Sequence, residues 1–267
     1  MESIQTNALN SKYINSLLRP EENPFMQEMQ NFEEIMMMYS CAIREVKTKF
    51  EVLNDDFSVR YKRNPIEFIQ SRIKKPVSIA KKLASKGCPV TCASILNNLD
   101  DVAGIRVICP FIDDIYMVAE KLISQDDITL IEAKDYISHP KPNGYRSLHV
   151  IVEIPVFFAD HTRNMRVEVQ IRTIAMDFWA SLDHQLRYKK DIPNVDMISA
   201  RLKKCADVIS ATDLEMQCTL KSTHRLAMNR ERLRQHRLPI AFPVPILFRR
   251  RCFCVLRQPI RLRTQPS

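Results

Sequence analysis

Apolar and polar residues alternate without a break from Met165 to Thr173 (MRVEVQIRT). Val167, Val169 and Ile171 fall on one side, and Arg166, Glu168, Gln170 and Arg172 on the other. A period of two with β-branched residues on the apolar side predicts a strand. Its polar row is either a solvated sheet face or the floor of a site for something highly charged. Elsewhere the period lengthens. Met29, Phe32, Ile35, Met38, Cys41, Ala42, Val46 and Phe50 predict an amphipathic helix over 27–53. Pro65 opens a short helical stretch containing Phe68 and Ile69, and Pro76 opens another that runs to Lys86 and stops at Gly87. A short helix over 91–98 has Thr91 or its neighbour as cap. Strands are expected over 102–109, 128–134 and 147–154, and a helix capped by Asp113 or Asp114 runs to Ile123. Tyr136 to Tyr145 (YISHPKPNGY), with two prolines and Asn-Gly, is a loop. Residues 174–189 form a helix with Ala175, Phe178, Trp179, Leu182 and Leu186 on its apolar side, and 195–218 give the last one. Helices alternating with strands, without internal repeats, predict an α/β domain built on a mixed sheet flanked by helices.

The 267 residues, 45% of them hydrophobic, suffice for one substantial core or one core with an appendage. No run approaches the ~20 apolar residues of a membrane span. The opening MESIQTNALNSKYINS lacks a basic segment followed by an apolar one, so it does not read as a secretory signal. Eight cysteines are scattered along the chain, and Cys88 and Cys92 have neither a second pair nor a nearby histidine to complete a zinc site. Buried free thiols in a reducing cytoplasm are expected instead. The net charge of +9 is unevenly spread. From Thr219 onward there are twelve Lys or Arg and one acidic residue, or +11, which leaves −2 on residues 1–218. The whole-chain charge therefore says little about what the body binds. Residues 1–25 read as a loose leader and 26–218 as the folded domain. The tail 219–267 holds five of the 15 prolines and the proline-broken apolar stretch PIAFPVPILF. It is expected to be disordered or outside the folding unit, with an RNA-binding arm as the alternative.

Asp101 precedes the strand that carries Arg106, and Glu168 lies in the middle of another. Carboxylates on adjacent strands can hold one Mg²⁺ and leave positions for phosphate oxygens. The plainer reading of Glu168 is an ion pair with Arg166 or Arg172. Arg72, Lys74, Lys75 and Lys82 form a basic patch near Ser78 and the helix start at Pro76, a combination that suits phosphate. It is also what a solvated helix end looks like. In Asn143-Gly-Tyr-Arg-Ser-Leu-His149, Gly144 permits a positive φ, and Tyr145 can stack on a base. A surface turn leading into a strand would read the same way.

The wording of these segments is more specific than their chemistry. DVAGIR (101–106), NGYRSLH (143–149), EVQIRT (168–173) and FWASLDHQLRYK (178–189) resemble the synthetase domain of the RelA/SpoT alarmone synthetases, and SRIKKP (71–76) resembles its nucleotide-binding segment. The likeness covers about residues 30–218 in family order. It is to the small, single-domain members, because no His-Asp dipeptide of the hydrolase type occurs.

The resemblance implies a nucleotidyltransferase-like mixed sheet. The implied reaction is transfer of pyrophosphate from ATP to the 3′-hydroxyl of GDP or GTP, yielding AMP and ppGpp or pppGpp. By the same resemblance Arg72 and Arg106 lie on either side of the adenine, and Lys74, Ser78 and Lys82 serve the ATP phosphates. Asp101 and Glu168 hold Mg²⁺, with Glu168 also the general base. Tyr145 stacks on guanine, His149 lies near the acceptor phosphates or ribose, and Gln170 lines the donor site. Asp177 stands at the guanine pocket, where many relatives offer asparagine or histidine, and is expected to bind the guanine nucleotide by accepting from the guanine N1–H and amino group; Asp183 stands where glutamate is usual before His184. A homo-oligomer, often a tetramer, and a response to the product are further implications. The alternatives are another nucleotidyltransferase acting on a different acceptor, or a catalytically silent RNA-binding or regulatory protein.

Overall fold

The computed structural model describes residues 23–188 and 195–235. The first helix, α1 (Pro24–Tyr61), begins where the Asn23 side chain accepts from the Phe25 amide with Pro24 in the first turn, and it ends at Lys62 in a left-handed conformation (φ 51°). It is longer at both ends than expected, because Pro24 starts it and buried Phe57 extends its packed face. Next come β1 (Phe68–Ile73), α2 (Pro76–Ser85), α3 (Cys92–Asn98) and β2 (Ala103–Cys109). They are followed by α4 (Ile112–Ile123), β3 (Thr129–Asp135), β4 (Leu148–Phe157) and β5 (Thr162–Thr173). Two helices close the described chain, α5 (Ile174–Tyr188) and α6 (Val195–Gln235).

The expectations for β1 and for the cap of α4 are corrected. Phe68 and Ile69 open a strand, not a helix: β1 pairs antiparallel with β2, Phe68 opposite Ile108 and Arg72 opposite Gly104. As an edge strand β1 leaves all but Ile69 exposed, so no alternation marks it. Neither Asp113 nor Asp114 caps α4. The cap position is Phe111, and both aspartates lie in the first turn, where the helix dipole favours negative charge. Asp114 is buried there against Arg63. Thr91 does cap α3, accepting from the Ser94 amide.

The five strands run in the order β1-β2-β5-β4-β3, with β2 parallel to β5 and every other pair antiparallel. β5 is therefore the central strand. Its Met165, Val167, Val169 and Ile171 are buried with Ile105, Val107, Val150 and Val152 of its neighbours. Helices α1 and α4 cover that face, contributing Ile35, Met38, Val46, Phe50, Ile115, Val118 and Leu122 to the same core. The opposite face carries the polar row.

A second, smaller cluster joins Trp179 of α5 to Leu202 and Ala206 of α6, and the indole donates to the Leu202 carbonyl at 2.9 Å. The apolar side expected for α5 is only partly packed: Phe178, Leu182 and Leu186 are exposed, in line with exposed Ile174. Helix α6 runs past Cys218 to Gln235, so position 218 is not a helix end. The chain divides after Ser222 into two units, and the described residues of the second, 223–235, are helical. Residues 1–22 of the expected leader and everything after 235 lie outside the described residues. Among the described residues the cysteines are free; Cys109 is buried, whereas Cys205 and Cys218 are exposed, contrary to the expectation of burial. No helix among the described residues is long and apolar enough to cross a membrane.

Candidate active site

Strand register sets out the polar face in rows. Arg72, Gly104, Glu168 and Ile151 stand side by side across β1, β2, β5 and β4. The next row is Gln70, Arg106, Gln170, His149 and Lys134. Because side chains alternate, a carboxylate, an amide and a guanidinium at positions 168, 170 and 172 rise from one face of the central strand. Gly104 leaves a gap in the first row, and Arg72 crosses it: an added β-carbon would meet the Arg72 Cγ at 3.6 Å.

Asp101 sits at the entrance to β2 with one oxygen held by two ammonium groups, Lys74 Nζ at 2.5 Å and Lys82 Nζ at 2.6 Å. Burial works to raise this carboxyl, and the two lysines outweigh it, holding it below the ordinary value. Its other oxygen, Oδ1, is buried without a hydrogen-bond partner. Ser78 is exposed in the first turn of α2.

Glu168 makes neither of the arginine pairs considered from sequence. Arg166 turns to Asp100 and Glu153, and Arg172 turns to Asp177. Glu168 accepts from Gln170 Nε2 at 3.0 Å and meets His149 Nδ1 at 3.3 Å. Burial pushes its carboxyl up, but the His149 and Gln170 contacts bring it below the usual range, against a smaller opposing push from the Asp101 charge.

His149 is tied in turn to Tyr145, Nε2 to Oη at 2.7 Å. Tyr145 follows a turn in which Gly144 (φ +88°) donates to the Lys141 carbonyl, and the Asn143 side chain accepts from the Tyr145 amide. The Lys141 ammonium lies over both Tyr136 (4.4 Å) and Tyr145 (5.0 Å). Arg172, which sequence reasoning weighed only as an ion-pair partner, is buried at the centre and bonded to Tyr145, Gln170, Ser147 and Asp177. Asp177 also pairs with Arg106 at 3.2 Å. Burial lowers the Arg106 guanidinium, as do its cationic neighbours Arg172 and Arg72, while Asp177 opposes them.

Among the described residues, three cavities open on this surface. The largest, about 730 Å³, is lined by Arg72, Arg106, Tyr145, Gln170 and Arg172, and by the Ala180–Gln185 side of α5, including Asp183 and His184. A second, about 210 Å³, lies over Gly104 between Arg72, Arg106, Gln170 and Glu168. A third, about 180 Å³, lies on the other side of Glu168 among Lys134, Tyr136, Lys141 and His149. Of the residues singled out in the sequence, Arg72, Arg106, Gln170, Tyr145, His149 and Glu168 line these cavities. Lys74, Lys82 and Asp101 form their own cluster, and Asp177 braces the arginines without lining any of the three. Lys141, Tyr136 and Arg172 were missed. Arg172 had a legible signal, being two residues beyond Gln170 on the same face of one strand.

Residues 71–193 match the family model described as the region found in RelA / SpoT proteins. The chain is 40% identical over 190 residues to the GTP pyrophosphokinase YwaC of Bacillus subtilis (strain 168), covering 70% of this chain and 90% of that one. It is 34% identical to the GTP pyrophosphokinase YjbM of the same organism, over 70% of this chain and 87% of the relative. The fold is similar to the crystal structure of small alarmone synthetase 1 from Bacillus subtilis bound to its product pppGpp (TM-score 0.66, 34% identity, 72% of this chain and 97% of that chain). It is likewise similar to small alarmone synthetase 2 from Bacillus subtilis (TM-score 0.65, 39% identity, 72% of this chain and 99% of that chain). With 40% identity to a relative of which 90% is covered, a matching family model and a matching fold, the chain belongs to the RelA/SpoT family.

Proposed function

We propose that this protein is a GTP/GDP pyrophosphokinase that transfers pyrophosphate from ATP to the 3′-hydroxyl of GDP or GTP, forming AMP and ppGpp or pppGpp. One observation carries the reading. Glu168 lines two cavities at once, one walled by Arg72 and Arg106 and the other by Lys141, Tyr136 and His149. A carboxylate shared by two cationic pockets suits a reaction between two nucleotides.

The donor side takes ATP. Arg72 and Arg106 present planar guanidinium groups to the adenine, and Gln170 lines the space between them. Lys74, Lys82 and the Ser78 hydroxyl serve the phosphates, whose charge must be neutralised before a second anionic nucleotide can approach. The acceptor side takes GDP or GTP. Tyr145 stacks on guanine, and Lys141 and His149 serve the ribose and phosphates. Asp177 supports the guanine pocket by holding Arg106 and Arg172 in place. Glu168, kept ionised by its neighbours, accepts the proton of the attacking 3′-hydroxyl.

The residues suit Mg²⁺. The buried Asp101 Oδ1 lacks a partner, and Glu168 adds a second hard oxygen donor. Among the described residues no third acidic, histidine or cysteine side chain completes a metal cluster, so phosphate oxygens and water would fill the remaining positions. Bound there, Mg²⁺ would polarise the transferred group and neutralise its charge. The exposed apolar row Ile174, Phe178, Leu182 and Leu186 on α5 supports self-association, and the free thiols are compatible with a cytoplasmic protein.

The test is incubation with Mg²⁺, labelled ATP and each guanine nucleotide in turn, with identification of the product. A guanosine product pyrophosphorylated at the 3′ position is expected. Transfer to a different acceptor would replace this reading with another nucleotidyltransferase. RNA binding without any transfer would replace it with a silent binding protein.

A further inference from the structure

We infer that Arg172 is a positioning residue that fixes the acceptor-side tyrosine and the donor-side glutamine relative to each other, so that the two pockets keep one spacing. This rests on the reading of the reaction given above. Arg172 is only 4% exposed and lines the large cavity at its edge. Its partners come from three separate segments. Nη2 donates to Tyr145 Oη at 2.6 Å and to Gln170 Oε1 at 3.0 Å, Nη1 donates to Asp177 Oδ1 at 3.0 Å, and Nε reaches Ser147 Oγ at 3.4 Å. The guanidinium carbon also lies 5.1 Å from the centre of the Tyr145 ring.

The chemistry of the group gives these bonds a direction. A guanidinium has donors and no acceptor. Gln170 must therefore turn its oxygen toward Arg172, which leaves its amide nitrogen to donate to Glu168 Oε2 at 3.0 Å. Tyr145 accepts from Arg172 through Oη, which leaves its phenolic proton available to His149 Nε2 at 2.7 Å. One buried cation thus sets the orientation of both arms of the network that converges on Glu168. Without it the Gln170 amide is free to flip and present its oxygen to the Glu168 carboxylate. A lysine has three donors, but all on one nitrogen, without the planar fork that spans Tyr145, Gln170 and Asp177 together.

Full-length Arg172→Lys, Tyr145→Phe and the double variant test this in the product assay, with circular dichroism and thermal melting to establish the folded fraction. We expect Arg172→Lys to lower kcat by about 30-fold, with the KM of each nucleotide changing less than about 3-fold, because alignment is lost rather than contact with substrate. Tyr145→Phe keeps the ring and removes the Oη bonds to Arg172 and His149; the part of its effect that runs through Arg172 should vanish in the Arg172→Lys background. Independent, multiplicative effects overturn the inference, as does a wild-type kcat per folded Arg172→Lys molecule. If Arg172→Lys does not fold, the cycle is run between Tyr145→Phe and Asp177→Asn, which touch different ends of Arg172. Coupling between them is then expected, and independence overturns the proposal. A wild-type protein that forms no pyrophosphorylated guanosine overturns the assigned reaction and this inference with it. Product from the wild type together with uncoupled variants overturns this inference alone.

Discussion

Gly144 and Ala206 leave no gap between them: a β-carbon built on Gly144 would stand 2.5 Å from the Ala206 Cβ. The turn that delivers Tyr145 is thereby seated directly on α6. Gly144 also holds φ at +88°, where an L side chain is strained. Gly144→Ala should destabilise the fold by ~1–3 kcal/mol and weaken guanine-nucleotide binding more than ATP binding. Ala206→Gly in the same chain restores the space but not the backbone freedom, so rescue should be partial. Melting temperatures and the two affinities decide it; equal losses for both nucleotides would mean the turn does not govern the acceptor.

Glu168→Gln should leave the fold intact and reduce transfer by ~10²-fold or more, the scale of a general base. The amide matches the carboxylate in size but cannot take the hydroxyl proton. Turnover at saturating Mg²⁺ measures this, and near-native rates in a folded variant would reduce Glu168 to part of a solvated strand face.

Tyr145→Ala removes the stacking ring, a contribution of ~1–3 kcal/mol per base. Guanine-nucleotide affinity should fall by that amount while ATP affinity changes little. Calorimetric titration with each nucleotide separates the two. An ATP loss as large as the GDP loss would assign Tyr145 to the loop's architecture.

Asp213 lines none of the three cavities and gives a pH signature of its own. It accepts from the Thr173 hydroxyl at 2.6 Å, and that hydroxyl in turn receives the Met176 amide at the start of α5. Burial raises the Asp213 carboxyl above its ordinary 3.8, against the Thr173 bond and the Arg146 charge. A raised carboxyl opposes folding when ionised, and the penalty is relieved as pH falls through the folded value. Asp213→Asn keeps an acceptor for Thr173 without the charge. Its melting temperature should exceed that of the wild type at neutral pH, and the difference should shrink on the acid side. A constant difference across pH would show that ionisation is not the cause.

A chain ending at Ser222 should retain the fold and the transfer activity. The cut belongs there because Gln217 and Lys221 both bond Asp113, whereas a cut after 218 would remove Lys221. Residues 223–267 hold eleven Lys or Arg and one acidic residue, so the shortened protein should be retained less by a polyanion column at low salt. Loss of activity at equal oligomeric state would make the remainder structural.

The central strand, the loop at Gly144 and the cationic cluster before α2 were legible because local patterns determine them: alternation, a turn dipeptide, cations beside a helix start; the pairing of Lys74 and Lys82 with Asp101 was not, because it joins separate segments. β1 was not. An exposed edge strand has no buried face to impose a period, so Phe68 and Ile69 after a proline looked like a helix start. The reach of α1 was also hidden, since residues 54–61 are mainly polar and only Phe57 shows that the helix continues inward. Arg172 lay in plain view in EVQIRT. Its role depends on the tyrosine, serine and aspartate that converge on it from other segments, and strand alternation gives no distance between them.

Placing Glu168 on the central strand has a consequence for how the molecule can fail. Two strands stand on either side of it, and it is the hydrogen-bond ladder itself that measures out the separation between the wall of Arg72 and Arg106 and the wall of His149 and Lys134. A slip of one residue in β5 would bury the carboxylate and turn Val167 or Val169 into the cleft. A chain with the wrong register therefore has no weakened enzyme to offer. Such molecules are inactive, and the activity of a population counts only those whose sheet has closed in register.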